Sequence, residues 1–442
     1  MYPSSGLVTA LNAMREMSVD NGSIYHQYVP LINDASTISE IAVPILDTQN
    51  LNVLNDFVGL LKKVIYTAVY NKTFNNPLAG LEGERMPLGS FIEETAVNPA
   101  EGVAYDPADF AGLLERYSSE IFVEYLHTNV DVQFKATLTR EKIRNAFQSW
   151  ESLEAMIRSV IDSLYNGAYI RRWRATKSMV AGALAGNNVN YKIVDDVTDE
   201  QTATALVREL RSTYSKFQLP STKYNAYNKV RGGRLALETW SNPEDIIVFI
   251  SSDLEAFIDT EVLAKSFNMD KADFLGRVFV IDDFSVYNKD GSVAVDGSNI
   301  KAFICDRSWF KLKTQDFAMD EFYNPNVRCW TYFLNDTRME NFSLFSNALV
   351  LTTSAPTVNA TDIEVASSTA TVTAGEKVKV GFELTPPNAT STVTVSSSAE
   401  YATAEIKGKD VEITGVSEGS ATITVTANGH SDTIAVTVQA SA

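Results

Sequence analysis

Cysteine and histidine are scarce in this chain of 442 residues: two Cys, at 305 and 329, and three His, at 26, 127 and 430. Two thiols cannot make a disulfide framework in a chain this long, and their spacing fits no metal motif, so reduced thiols in a cytoplasm are expected. Three scattered imidazoles leave histidine catalysis and histidine-rich metal sites almost no material. Basic charge is also short, with 37 Lys and Arg against 55 Asp and Glu, a net charge of -18. Non-specific attraction to nucleic acid or anionic lipid is thereby disfavoured. No basic segment leads into an apolar run in "MYPSSGLVTALNAMREMSVDNGS", and no run of about 18 apolar residues occurs anywhere, so neither secretion nor membrane insertion is expected. Neither G-x-G-x-x-G nor a Walker loop can be found.

A hydrophobic fraction of 45% and a charged fraction of 21% predict an ordinary globular protein, long enough for two or three domains. The sharpest change of composition falls near "LTTSAPTVNATDIEV". Beyond Pro356 there is no Arg, Trp, Cys or Met, and Thr, Ser, Val and Ala dominate. The runs "KVKVGFEL", "STVTVSS", "ATITVTA" and "TIAVTVQ" alternate with period two, and Gly, Pro and Asn punctuate them. This pattern predicts a β-sandwich of immunoglobulin type over residues 356–442.

The body, residues 1–355, reads as α+β. In "TREKIRNAFQSWESLEAMIRSVIDSLYNG", Ile143, Phe147, Trp150, Leu153, Ile157, Val160, Ile161 and Leu164 form one apolar stripe. The spacing predicts a single helix over about 139–167, roughly 40 Å long, capped by Thr139 and stopped by Gly167. "EIFVEYLHTNVDVQFKATL" alternates as strands, "NLNVLNDFVGLLKK" is helical in pattern and runs into the strand-like "VIYTAVY", and "NNPLAGLEGERMPLGSFIEE" is punctuated like an extended hairpin. "EDIIVFI" and "GRVFVIDDF" read as strands on either side of a helix, "SDLEAFIDTEVLAKSF", capped by Ser252 or Asp253. No regular strand–helix repeat emerges, which disfavours a parallel nucleotide-binding sheet.

Several stretches invite chemistry. Gly415-Val416-Ser417-Glu418-Gly419 fits the nucleophile elbow G-x-S-x-G, but such an elbow leads into a helix, and here Gly419 leads into an alternating strand; Ser417 is read as a turn residue. Arg171-Arg172-Trp173-Arg174 could grip phosphate, though a solvated helix end is the readier use; Gly232-Gly233 reads as a flexible loop before an anion nest. Asp282-Asp283, Glu93-Glu94 and "DDVTDE" are acidic clusters without a ligand-rich calcium loop, and are read as solvated faces rather than acid–base pairs. No catalytic, cofactor or metal residues are assigned, and the chain is read as a non-enzyme.

The tail then shows a resemblance. Ser396-Ser397-Ser398, Ala402 to Ile406 and Gly415 to Val425 resemble, in order, the serine run, strand and "G-V-x-x-G-x-A-T-I-T-V" pattern of bacterial Ig-like group 2 domains, over about Thr357 to Gln439. The family's aromatic before the serine run is Val395 here. The body is similar to major capsid proteins of phi-29-like podophages through "YVPL", "NDFVGLL", "NNPL", "PLGSFIEE", "AFQSWESLEAMIRSVIDSLYN", "DLEAFIDTEVLAKSFNMDKADFLGRVFVID", "SWF" and "FSNALVL". The resemblance implies a Hong Kong 97 capsid fold with an extended N-arm, an extended loop over about 72–135, a spine helix and an axial domain over about 185–320. It implies an icosahedral or elongated shell of pentamers and hexamers around a double-stranded DNA genome, assembled in the bacterial cytoplasm. The partners it implies are further copies of the chain, a separate scaffolding protein, a portal at one vertex, and DNA without sequence-specific contacts.

On that reading Arg85, Met86, Pro87 and Leu88 lie near the tip of the extended loop, and Glu93 and Glu94 on its return, facing a neighbouring subunit. The rival readings are a cell-surface glycan-binding adhesin with an Ig-like module, and a serine hydrolase using Ser417.

Overall fold

The computed structural model describes residues 5–47, 51–65, 74–100, 102, 119–231, 236–257, 277–288 and 290–440. "VIYTAVY" beyond Ile65, Gly232-Gly233, the predicted helix beyond Phe257 and part of the predicted extended loop lie outside the described residues.

Helices α1 (Ser5–Asp20), α2 (Tyr25–Tyr28), α3 (Ile38–Leu46) and α4 (Leu51–Ile65) come first. Strands β1 (Ile92–Val97), β2 (Ile121–Leu126) and β3 (Val130–Thr139) precede helices α5 (Arg140–Ala146) and α6 (Trp150–Ala185). Then follow β4 (Asn190–Ile193), α7 (Glu200–Phe217), α8 (Tyr227–Arg231), β5 (Ile246–Ser251) and α9 (Ser252–Phe257). Strands β6 (Val278–Ile281), β7 (Val286–Tyr287), β8 (Val293–Val295), β9 (Ile300–Asp306), β10 (Phe310–Asn324), β11 (Cys329–Phe342) and β12 (Ala348–Thr352) complete the body. The tail carries β13 (Asp362–Val365), β14 (Thr369–Thr373), β15 (Lys377–Thr385), β16 (Val393–Ser397), β17 (Ala402–Lys407), β18 (Asp410–Gly415), β19 (Gly419–Ala427) and β20 (His430–Gln439).

The chain forms two compact units, one of residues 1–92, 126–176 and 311–341, the other of residues 93–125, 177–310 and 342–442. In the first, a sheet in the order β10-β11-β3 lies against helices, with β11 and β3 antiparallel from Cys329↔Thr139 to Arg338↔Val130. Ile143, Phe147, Trp150, Leu153, Ile157, Val160 and Leu164 are all buried there with Phe57, Leu138 and Tyr332, so the apolar stripe does face a core.

The single predicted helix over 139–167 is two helices. Thr139 caps the first through its hydroxyl and the Lys142 amide, as expected, but the Ser149 hydroxyl accepts from the Ser152 amide at 3.1 Å and opens a second. A serine offering its oxygen to nearby amides competes with the helical ladder, which ends α5 and starts α6. Gly167 does not stop α6. A Cβ there would sit 3.2 Å from the Phe134 ring, so its missing side chain admits that ring, and the helix runs on to Ala185. At 36 residues α6 is about 54 Å long.

In the second unit, a sheet in the order β4-β12-β9-β5-β6 is mixed, with β4/β12 and β5/β6 parallel and β9 antiparallel to both its neighbours. It draws on β12, so the compact region is not the continuous stretch 185–320: a strand this buried recruits its partner by backbone pairing, whatever the separation along the chain. All six residues of β5 are buried. One face packs on Ala203, Leu206, Val207 and Leu210 of α7, and Phe249 meets Phe303 and Phe310 on the other, which accounts for the uninterrupted apolar run.

The tail is a sandwich of two four-stranded sheets, β13-β15-β18-β17 and β14-β20-β19-β16, around Val380, Phe382, Val411, Ile413, Ile423, Val425, Ile434 and Val436. Each alternating run named above is a strand. Asn428 and Gly429, at φ 48° and 84°, make the two-residue turn between β19 and β20. Ser417 lies between strands β18 and β19, its amide directed at the Tyr401 carbonyl, and no helix follows it. A Cβ on Gly419 would come within 2.6 Å of the Tyr401 ring, so this glycine serves the ring's packing and not a nucleophile.

Candidate assembly surface

In the first unit, the segment carrying Arg85 to Leu88 runs alongside β10. The Gly83 amide donates to the Leu312 carbonyl at 2.8 Å and the Met86 amide to the Thr314 carbonyl at 2.9 Å. Arg85 Nε donates to the Gln315 carbonyl, and its guanidinium meets Asp316 at 3.2 Å. Gln315 Nε2 donates to the Pro87 carbonyl at 2.9 Å. Met86 is buried against Leu126 and Met339. Backbone pairing with β10 and burial of the Met86 thioether therefore anchor the segment to its own unit, whereas Arg85 and Pro87 are exposed and Leu88 is exposed at 76%.

Charge fixes the same segment from beneath. Arg172 Nε and a terminal nitrogen donate to both oxygens of Asp336, at 3.0 and 2.7 Å. Glu82 takes Arg338 at 2.9 Å and Arg172 at 3.5 Å, while Arg171 holds Glu340 at 2.7 Å. Three guanidinium groups and three carboxylates thus balance, with Asp336 and Arg338 almost fully buried. Arg171 and Arg172 are accordingly neither a solvated helix end nor a phosphate grip. Their forks match carboxylates of β11 in bidentate geometry, which commits both charges within the unit.

In the second unit, β1 and β2 pair as a two-stranded sheet, and the Asn98 amide donates to the Glu120 carbonyl just beyond it. The outward side of β2 is Ile121, Val123 and Tyr125, exposed at 62, 39 and 55%; on β1, Glu93, Thr95 and Val97 are exposed. Inward, Glu94 accepts from the Ser343 hydroxyl at 2.9 Å, and buried Glu124 accepts from Arg231 at 2.9 Å. Burial raises the Glu124 carboxyl above its ordinary range despite Arg231. Glu93 thus faces solvent, whereas Glu94 serves its own unit: the period-two alternation puts adjacent residues on opposite faces.

Elsewhere in this unit, Asp282 and Asp283 receive the ammonium of buried Lys177, at 2.5 and 3.3 Å. That pair neutralises an internal cation while its carboxylates stay open to solvent, Asp282 at 59% and Asp283 at 36% side-chain exposure. Among the described residues no cluster of His, Cys, Asp and Glu has the form of a metal site, and no helix is long and apolar enough to cross a membrane.

The site residues that sequence reasoning missed are the apolar outer face of β2 and the carboxylates opposing Arg171 and Arg172. The first had a signal: in "IFVEYL" the set Ile121, Val123, Tyr125 is wholly apolar while the other set carries Glu124, yet the burial pattern turns the Glu124 set inward. The second had none, because Asp336 lies 164 residues from Arg172.

Comparison with solved structures places this architecture. The capsid protein of Staphylococcus phage Andhra superimposes with a TM-score of 0.50 at 18% identity, over 64% of this chain and 86% of that one. A chain from the native bacteriophage P68 structure, containing head fiber and inner core protein gp22, superimposes equally well, over 65% and 87%. The fold is that of Hong Kong 97-like phage capsid proteins. Residues 11–352 match the family described as Phi29-like phage major capsid protein, and the chain belongs to that family. It is similar to the major capsid protein of Bacillus phage B103, 29% identical over 83% of this chain and 77% of that protein, and to that of Streptococcus phage Cp-1, 25% identical over 77% and 92%. The chain is thus a major capsid protein of tailed phages rather than a surface adhesin.

Proposed function

We propose that copies of this chain associate into pentamers and hexamers that close an icosahedral or elongated shell, assembled in the bacterial cytoplasm and carried in the virion. The role is architectural: repeated modest interfaces under closed symmetry, with no chemical step assigned to the chain. The observation that carries the reading is the apolar outer face of β2, where Ile121 and Val123 are exposed, with Val97 exposed on β1. A neighbouring copy is the occupant such a face fits in a shell. Glu93, on the same strand pair, joins it as a contact, and Leu88 is a separate contact carried by the first unit; Arg85, Met86, Pro87 and Glu94 hold the backbone of their own units in place.

A net charge of -18 suits a container that holds double-stranded DNA without gripping its phosphates or reading its sequence. A separate scaffolding protein and a portal at one vertex complete the assembly. The tail is read as a group 2 Ig-like domain, from its serine run, its "GVSEGSATITV" segment and its two-sheet core.

The test is negative-stain electron microscopy of the chain expressed with and without its phage's scaffolding protein, alongside Val123→Asp and Leu88→Asp. Closed shells or capsomer rings are expected from the native chain, and soluble, folded subunits without shells from both variants. Normal shells from both variants would remove these contacts; monomers from the native chain under both conditions would remove self-assembly.

A further inference from the structure

The C-terminal sandwich meets the body at the end of α6, and the meeting is built from asparagine. The helix closes with the Asn188 amide donating to the Ala183 carbonyl at 2.7 Å and the Asn187 amide to the Leu184 carbonyl at 2.8 Å. This is the Schellman arrangement, whose left-handed position is most often glycine. Here it is Asn187, at φ 52°, although Gly186 stands one residue earlier. An asparagine tolerates that conformation less readily than glycine, so its side chain must do something.

What it does is reach the sandwich. Asn187 Nδ2 donates to the Asn388 carbonyl at 2.6 Å. Asn388, in the loop between β15 and β16, answers with its own Nδ2, which donates to the Gly186 carbonyl at 2.6 Å and to Asn188 Oδ1 at 2.7 Å. Asn187 and Asn388 are buried, at 4 and 8% exposure. The remaining carboxamide oxygen of Asn187 is buried with no hydrogen-bond partner, a cost that a merely incidental contact would not bear.

A second attachment lies along the chain. Asn299 accepts from the Thr353 amide at 2.8 Å and donates to the Ser354 hydroxyl at 2.9 Å, tying the start of the connecting segment to the body. The other end of that segment pairs with the Asn388 loop, where the Thr390 amide donates to the Val358 carbonyl and the Val358 amide to the Thr390 hydroxyl. Two separated anchors remove the rotation that one connecting strand would leave free.

We propose that the reciprocal Asn187–Asn388 clasp fixes the C-terminal sandwich on the body, making it a rigid strut and not a tethered flag. On the shell role proposed above, a strut held at one angle braces neighbouring subunits at a set position. A flexible display module would need no such lock.

The test uses the full-length soluble chain with spin labels on two exposed positions, Arg211→Cys and Lys379→Cys, Cys305 and Cys329 being buried. Pulsed dipolar spectroscopy should give one narrow distance distribution. Asn388→Ala should broaden it by about two-fold or more, with the sandwich's own thermal transition unmoved. Asn187→Gly is the sharper variant, since glycine suits the left-handed position and keeps the helix cap while removing the donor; it should broaden the distribution as well. A broad distribution in the parent protein, or none of the broadening in either variant, would overturn the clasp. Because the readout needs no particle, a failed clasp leaves the shell role standing, and a failure to form shells leaves the clasp standing.

Discussion

The sheet-and-helix core of the first unit and the C-terminal sandwich bury comparable sets of aliphatic side chains, but they treat charge oppositely. Beneath the 82–88 segment, Arg171, Arg172 and Arg338 are enclosed with Glu82, Asp336 and Glu340; the sandwich core is Val, Ile, Ala and one Phe, and its ion pairs, such as Lys377–Glu412, stay at its surface. Buried ion pairs are poor stabilisers because desolvation offsets their attraction, yet removing one member leaves a charge stranded. The contrast teaches that the first unit spends its polar groups on holding one segment in one geometry. The sandwich needs only to fold. The largest expected effect follows: Asp336→Ala strands Arg172 and should destabilise the first unit by about 3–5 kcal/mol in denaturant unfolding. A loss below about 1 kcal/mol would show that water or Glu82 already compensates the guanidinium, and the contrast would fail.

The sandwich side of the comparison is broken differently. Ile434 is fully buried among Ile423, Val425 and Val436, so Ile434→Ala should cost about 2–4 kcal/mol through lost transfer energy and a cavity. The expected signature is one calorimetric transition moving down while the other keeps its position, since among the described residues no ion pair ties this core to the rest. Equal movement of both transitions would mean that the sandwich unfolds only with the body.

How much of this was legible in the chain depended on how far apart the interacting residues lie. The sandwich strands were legible because alternation is a local pattern and each strand's neighbours share it; "KVKVGFEL" and "ATITVTA" are strands β15 and β19. The apolar stripe from Ile143 to Leu164 was legible for the same reason. Its break at Ser149 was not, because a serine in a helical pattern reads as tolerated until its hydroxyl is seen on the Ser152 amide. Gly167 was misread because its role depends on Phe134, a residue of another element. Among the candidate site residues, Leu88 and Glu93 are exposed and Met86 is not. The burial of Met86 could not be read locally, since Met339 in its cluster is more than two hundred residues away.

The smallest expected effect isolates a charge that has no network. Lys229 is half-buried, donates to the Val189 carbonyl at 3.0 Å and lies 5.1 Å from the centre of the Tyr191 ring. Burial alone pushes its pKa down from 10.5 to about 8. A lysine depressed in the folded state gives up its proton there before it does in the unfolded chain, so between pH 8 and 10.5 the unfolded state binds more protons and stability rises with pH. Below that window Lys229 is charged in both states and its desolvation cost is felt in full. Lys229→Met should therefore raise stability at pH 7 by about 1 kcal/mol, discounted for the water that still reaches the ammonium and for the lost bond to Val189. The gain should shrink as pH climbs toward 10, which denaturant midpoints at several pH values would show. Arg172, clasped by Asp336, offers no such gain, since removing its charge strands a carboxylate instead. If Lys229→Met is destabilising and independent of pH, the ring and the carbonyl already compensate the lone cation, and paired and unpaired buried charges in this chain do not differ in kind.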